Sequence, residues 1–211
     1  MHADLYRDRF KRIFDFTVSF IGVIILSPFF VLVGLIIKLS SPGSAIFTQE
    51  RMGMGFIKFR LYKFRSMYPE SSSRGLSITS TDDPRITPFG HFIRKFKLDE
   101  LPQLINVIKG DMSLVGPRPE VERYVMIYKT DYEHILTVRP GITDIASLEF
   151  RNENELLLDC QDKEKKYIDE ILPQKLALSR LYIKEHNFFL DFKIIIYTIL
   201  GIDLKIKHLK Q

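Results

Sequence analysis

The pair with the most chemical reach is Asp99-Glu100, within Leu98-Asp99-Glu100-Leu101-Pro102-Gln103. Two adjacent carboxylates at the head of a helical stretch can hold Mg²⁺ through hard oxygen donors and present one carboxylate as a nucleophile. The plainer alternative is ordinary capping, in which acidic groups complement the positive end of a helix. A second feature is Leu114-Val115-Gly116-Pro117-Arg118-Pro119. An arginine between two prolines has a stiff, extended backbone, so its guanidinium is presented from a fixed support. Such a planar fork of donors suits phosphate, and a buried structural salt bridge equally. Arg139-Pro140-Gly141-Ile142-Thr143 repeats the idea, with a glycine that would let the backbone approach a ligand. Arg118 is the leading phosphate candidate, and Arg94, Arg139, Lys63 and Arg65 are further ones. The histidines lack metal-ligand spacing, and no P-loop, dinucleotide fingerprint or internal repeat occurs.

These groups need elements to hold them. Asp99 is expected to cap a helix over 99–109 that stops at Lys109-Gly110. At 3.6 residues per turn, Asp99, Gln103 and Asn106 share its polar face, while Leu101, Leu104, Ile105 and Ile108 lie on the apolar side. Residues 46–49 and 56–64 read as short strands around a Met52-Gly53-Met54-Gly55 turn. Basic and aromatic residues interleave over 56–65, a pattern that fits single-stranded nucleic acid and, more commonly, an amphipathic strand or a membrane-surface element. Residues 69–90 read as a loop, 91–97 and 120–129 as helical, and 152–185 as charged and helical, with Leu156-Leu157-Leu158 as apolar contacts. Residues 188–202 fit an interfacial helix followed by Lys205, Lys207, His208 and Lys210. Asp191 within it should face protein, because a carboxylate is costly in lipid.

From Phe16 to Ile37 no residue is charged, and such a stretch as a helix measures ~33 Å, enough for a bilayer core. A signal peptide is the competitor, given Arg7, Arg9, Lys11 and Arg12 ahead of the run. The run is too long for that, and it ends in Lys38-Leu39-Ser40-Ser41-Pro42-Gly43 rather than in a small-residue cleavage site. Ser27-Pro28 divides it, since proline removes a backbone hydrogen bond. A kinked spanning helix and a re-entrant helix-break-helix, with the Ser27 hydroxyl capping a freed backbone group, both fit. Basic residues flank both ends, with Lys38, Arg51, Lys58 and Arg60 after the run, which favours entry and exit by one face.

The 211 residues, 45% hydrophobic and 27% charged, exclude a disordered or low-complexity chain and fit one main domain. A single cysteine, Cys160, allows no internal disulfide and no thiolate-rich zinc site. The net charge of +5 suits anionic lipid, nucleotide or nucleic acid alike, but a nucleic-acid-binding protein leaves the apolar run unexplained. The expected architecture is α+β and mostly helical. It comprises a re-entrant membrane helix over 1–40 and a catalytic domain over 41–211, which carries a small strand element and amphipathic interfacial helices.

Taken in order, these segments resemble the monotopic phosphoglycosyl transferases, also called bacterial sugar transferases. The resemblance runs through Lys11-Arg12-Ile13-Phe14-Asp15, Ser27-Pro28, Phe47-Thr48-Gln49-Glu50-Arg51, Lys63-Phe64-Arg65-Ser66-Met67 and Leu98 to Val107. It continues through Lys109-Gly110-Asp111-Met112-Ser113 into Pro117-Arg118-Pro119-Glu120, Arg139 to Thr143 and Leu190-Asp191-Phe192-Lys193-Ile194. It implies a re-entrant membrane hairpin in the bacterial inner membrane, with the site at the cytoplasmic face. The implied reaction moves a sugar phosphate from a UDP-sugar to polyprenyl phosphate, usually undecaprenyl phosphate, and releases UMP at the start of surface-glycan assembly. It further implies that Asp99 is the nucleophile and that Glu100 helps to hold Mg²⁺. Nucleic acid is not an expected partner, while a homo-oligomer is compatible. Many members continue Arg-Pro-Gly-Ile-Thr with Gly-Leu-Ala-Gln where this chain has Asp144-Ile145-Ala146-Ser147, which bears on substrate choice. The additional N-terminal membrane helices of larger relatives are not expected. A scaffold that keeps the fold without chemistry is the competing class, since fold alone does not imply function.

Overall fold

A computed structural model describes residues 9–69, 83–151 and 162–202. Arg7, Cys160, Leu156-Leu157-Leu158, the basic residues after 202 and most of the expected 69–90 loop lie outside the described residues. The described chain is a mostly helical α+β fold with two small two-stranded sheets and one long apolar N-terminal helix.

Helix α1 runs from Lys11 to Ser40. Only Asp15, Ser19, Val33 and Ile37 along it are buried, while large apolar residues such as Phe20, Ile25, Val31 and Leu35 are exposed. An apolar surface this extensive is what a bilayer would cover. The helix continues unbroken through Ser27-Pro28, in place of the expected break. Pro28 leaves the Ile24 carbonyl without its N–H donor, and the Ser27 hydroxyl donates to that carbonyl at 2.8 Å.

Both ends of α1 dock on the same domain. At its start, Lys11 Nζ lies 2.5 Å from Asp191 Oδ2, and Asp15 Oδ2 lies 2.6 Å from the Ser113 hydroxyl. At its end, the Arg65 guanidinium donates to the carbonyls of Ser41 and Pro42, each at 2.8 Å, and to that of Ile37 at 3.4 Å. Val33 and Ile37 there pack into a cluster with Phe64 and Ile93.

Strands β1 (Ile46–Met52) and β2 (Lys58–Phe64) form an antiparallel hairpin that pairs Ile46 with Phe64 and Met52 with Lys58. Lys58 and Lys63 of β2 and the neighbouring Arg65 have partners within the protein, while Arg60 is exposed. Lys58 pairs with Glu50 and Glu122, Lys63 pairs with Glu100, and the neighbouring Arg65 caps α1.

Helix α2 (Pro88–Lys95) is capped by the Thr87 side chain, which accepts from Gly90 N. The expected helix over 99–109 starts late. Lys97 takes a left-handed conformation, residues 98–100 form a tight turn, and α3 covers only Gln103–Lys109. Asp99 is therefore not an N-cap. The polar face of α3 also points inward, with Gln103 and Asn106 buried. Asn106 accepts from Tyr62 N and donates to the Arg60 carbonyl, so its amide continues the edge of β2. Ile105, on the apolar face, is exposed.

Next come β3 (Ser113–Val115), α4 (Glu122–Ile127), α5 (Lys129–Ile135), β4 (Gly141–Thr143) and α6 (Ile145–Glu149). β3 and β4 pair in parallel, a sheet that the amino-acid pattern did not announce. Gly141 serves this pairing rather than a ligand, because a Cβ on it would sit 2.1 Å from Gly116 N. Helix α7 (Lys163–Lys166) passes through a wider π-type turn (Tyr167–Ile171) into α8 (Leu172–Glu185), and α9 (Phe188–Leu200) ends the described chain. Asp191 is buried as expected, while α9 exposes Phe189, Phe192, Ile199 and Leu200.

Gly141→Ala should therefore destabilise beyond the ~1–3 kcal/mol usual for overpacking, since the obstacle is backbone. Gly22→Ala, whose Cβ would meet Leu104 at an ordinary 3.5 Å, should be mild. Thermal unfolding of the two variants in the same detergent checks the contrast.

Candidate active site

Asp99 and Glu100 stand in the tight turn between α2 and α3, at the wall of a cleft of about 1140 Å³. Among the described residues the lining includes ten cationic side chains and four acidic ones, an excess of positive charge that suits an anionic ligand. Glu100 is the most heavily engaged group. Its Oε1 accepts from Lys63 Nζ at 2.7 Å and from Arg118 Nη2 at 2.5 Å, and its Oε2 lies 3.4 Å from Arg118 Nη1. Asp99 is 8% exposed and makes no hydrogen bond among the described residues.

The two neighbouring carboxyls are thereby driven apart. Burial raises the Asp99 carboxyl above the ordinary carboxylate range and the Glu100 charge adds to this, against the pull of Lys63 and Arg94. Burial would raise Glu100 too, but Arg118 and Lys63 hold it well below the usual value. Adjacent acids with opposed environments take different roles. Glu100 anchors two cations, and Asp99 is a poorly solvated carboxyl group with open oxygens, an arrangement that can present a carboxylate to a substrate.

Arg118 is held from behind as well as in front. Gly116 N donates to the Thr143 carbonyl, Gly141 N donates to the Pro117 carbonyl, and Arg118 N donates to Asp144 Oδ2 at 3.3 Å. About a third of the Arg118 side chain remains exposed, so the guanidinium that pairs with Glu100 also faces the cleft. The salt bridge and the phosphate role are compatible. Arg94 lines the cleft, and its side chain has no hydrogen-bond or ion-pair partner among the described residues.

Two of the expected cations act elsewhere. Arg65 lines the cleft, but its hydrogen bonds go to the carbonyl end of α1. Arg139 is absent from this cleft. It lines a separate cavity of about 220 Å³ and donates from Nε to the Gly110 carbonyl at 2.9 Å. Arg12 donates to the Val107 and Ile108 carbonyls, so the same helix end is capped twice.

Sequence reasoning missed several contributors. Asp144 is buried, caps α6 by accepting from Ser147 N at 2.7 Å, and braces Arg118. Its signal was legible as an acid three residues before that amide at a helix start. Glu120 accepts from Arg51 at 3.2 Å and from the Tyr167 hydroxyl at 2.6 Å, bracing the other end of the Pro-Arg-Pro segment. Tyr167 sits on the π-type turn, and no local pattern placed it there.

A magnesium ion fits the donor set. Mg²⁺ commonly takes one or two carboxylates and completes its shell with water and substrate phosphate. Asp99 offers such a group with open oxygens, while Glu100 would have to share its oxygens between the ion and the cations of Lys63 and Arg118.

The sequence model of a family described as "Bacterial sugar transferase" matches residues 6–203. The chain is 38% identical over 194 residues to the UDP-N-acetylgalactosamine-undecaprenyl-phosphate N-acetylgalactosaminephosphotransferase of Aeromonas hydrophila, covering 90% of this chain and 42% of that protein. It is 38% identical over 196 residues to the undecaprenyl-phosphate glucose phosphotransferase of Komagataeibacter xylinus, covering 90% of this chain and 35% of that protein. An uncharacterized sugar transferase of Bacillus subtilis, EpsL, is 36% identical over 189 residues, or 90% of this chain and 85% of that protein. The chain thus spans less than half the length of the first two relatives.

The opposed environments predict opposite effects on stability. Glu100→Gln should lower stability by about 1–3 kcal/mol, less than for a fully buried pair because Arg118 is partly solvated. Asp99→Asn should leave the melting temperature unchanged or higher at neutral pH. A carboxyl raised by burial penalises folding above its unfolded value, so the gain should shrink as pH falls toward the ordinary aspartate value near ~3.9. Thermal unfolding of both variants across pH 4–8 checks this.

Proposed function

Because the chain belongs to the bacterial sugar transferase family, we propose that it is a phosphoglycosyl transferase that moves a sugar phosphate from a UDP-sugar to undecaprenyl phosphate and releases UMP. The observation that carries this is the Asp99-Glu100 pair, one carboxylate open and one clamped by Lys63 and Arg118, in a cation-lined cleft beside a long apolar helix. A nucleic-acid-binding role has less support, because Lys63 and Arg65 of the basic stretch are committed inside the protein and Lys58 is paired at the surface with Glu50 and Glu122.

The mechanism has two displacements. An Asp99 oxygen attacks the sugar-side phosphorus of the donor, the bond from that phosphorus to the bridging oxygen breaks, and UMP leaves with the electron pair. An oxygen of undecaprenyl phosphate then attacks the same phosphorus, the bond to Asp99 breaks, and the carboxylate is restored with the sugar diphosphate on the lipid. Splitting the transfer lets a water-soluble donor and a lipid acceptor use one site in turn. An anion approaches a diphosphate poorly, so Arg118 and Arg94 counter phosphate charge at the cleft wall. Lys63 holds Glu100, and Glu100 in turn aims Arg118. Asp99 and Glu100 would hold Mg²⁺, which would add to the neutralisation of phosphate charge.

The membrane arrangement we propose is re-entrant, with α1 entering and leaving by the cytoplasmic face of the inner membrane. Both ends of α1 contact one domain through Lys11 and Arg65, and a domain with a polar surface cannot lie on both sides of a bilayer. Helix α9, with its exposed Phe189, Phe192 and Leu200, suits the interface. The first membrane step of a surface glycan is the process that this reaction fits.

With a UDP-sugar and Mg²⁺ but no lipid acceptor, the enzyme should release UMP in a burst of at most about one equivalent, and mass spectrometry should find the adduct on the peptide containing Asp99. Asp99→Asn should abolish the burst, and a strict need for the lipid would instead indicate direct transfer. Arg118→Lys keeps the charge and loses the fork, so kcat/KM should fall about 10-fold or more. Cysteines placed near positions 5 and 45 of a Cys160→Ser chain should both label from the cytoplasmic side. Labelling from opposite sides would replace re-entry by a spanning helix.

A further inference from the structure

A lipid-linked phosphate is an amphiphile: its phosphate must enter the cleft while its hydrocarbon chain stays in an apolar phase. Helix α2 presents a surface of that character. Phe89, Phe92 and Phe96 follow at spacings of three and four, which places them on one side of the helix and its last turn. Their rings meet in sequence, with centroids 6.0 Å apart for Phe89 and Phe92 and 5.1 Å apart for Phe92 and Phe96. One end of this row is anchored, because Phe89 packs on the cluster of Val33, Ile37, Phe64 and Ile93 at the end of α1. The other end is open. Phe92 is 52% and Phe96 56% exposed, and Phe96 lines the cleft. Its chain neighbours Lys95 and Lys97 line the cleft too, with Lys95 Nζ 5.7 Å from the centre of the Phe96 ring. The Lys97 charge lies close enough to act on both Asp99 and Glu100. An aromatic row that ends between two cations matches a ligand with an unsaturated hydrocarbon tail and an anionic head. A flat bilayer surface does not enter a concave cleft, whereas a single chain does.

We propose that the face of α2 formed by Phe89, Phe92 and Phe96 is the docking track for the polyprenyl chain of the acceptor, leading from the end of α1 to the cleft, where Lys97 meets the acceptor phosphate beside Asp99; this rests on the transferase reading above. Phe92 is not among the residues that line the cleft, so its part is in holding the chain and not in holding the donor.

Undecaprenyl phosphate and UDP are the two probes, each titrated into the full chain in detergent micelles. Phe92→Ser should weaken undecaprenyl phosphate binding about 5-fold or more, with UDP affinity and melting temperature unchanged, and Phe92→Leu should restore most of the loss. Unchanged undecaprenyl phosphate affinity in both Phe92→Ser and Phe96→Ser overturns the track and leaves the transferase reading intact. Loss of UDP affinity together with a lowered melting temperature in Phe92→Ser makes the ring structural and overturns the track. An equal loss of binding to plain phosphatidylcholine vesicles makes this face a general membrane contact and overturns it as well. An unsubstituted protein that binds neither probe overturns the transferase reading and the track with it.

Discussion

Lys11 Nζ lies 2.5 Å from Asp191 Oδ2, joining residues 180 positions apart. A buried carboxylate alone would cost several kcal/mol, and here the ammonium and the Tyr182 hydroxyl, 2.8 Å from Oδ1, offset it. The same hydroxyl lies 3.0 Å from the Val115 carbonyl, and Asp15 reaches Ser113 from the next turn of α1. The first helix, β3, α8 and α9 therefore meet at one ionic centre. β3 leads directly into Gly116-Pro117-Arg118, so the same centre that seats the apolar helix also sets the starting point of the loop that carries the guanidinium.

Arginine does two different jobs in this chain, and the difference lies in what surrounds it. Arg12, Arg65 and Arg139 each donate to carbonyls at the end of a helix, where peptide dipoles already provide partial negative charge. These groups are spent on architecture, and they tie α1 to α3 and to the hairpin. Arg118 instead meets a full carboxylate in a cleft wall and keeps part of its surface in solvent. Arg94 stays unpaired among the described residues beside that wall. Charge is thus concentrated at the cleft because much of the remaining basic content is neutralised locally.

The cleft also shows how two identical functional groups diverge. Glu100 takes both nearby cations, which leaves Asp99 desolvated and next to a negative neighbour. The two glycines at 116 and 141 belong to the same economy of space. Their backbones pack so closely that a side chain on either would force apart the segments that follow β3 and precede β4.

Much of this was legible in the residues themselves. The uncharged run of 22 residues forms one long apolar helix, and Ser27 beside Pro28 announced the hydroxyl that serves the orphaned Ile24 carbonyl. The hairpin at Met52-Gly53, the inward turn of Asp191 and the Asp99-Glu100 pair could be placed because each depends on local chemistry: alternation, the cost of charge in lipid, and adjacency. What the sequence could not say is which partner each charge would meet. Arg139 and Arg118 share a proline-flanked setting, yet one caps α3 and the other answers Glu100. The polar face of α3 turned inward because Asn106 completes β2, a contact across 44 positions of chain. The parallel pairing of β3 with β4, and the bracing of Arg118 by Asp144, likewise join segments separated by more than twenty residues. Composition and periodicity fix which surfaces must be buried and which groups are reactive; the choice among equally charged partners is made by long-range packing, and only the tertiary structure records it.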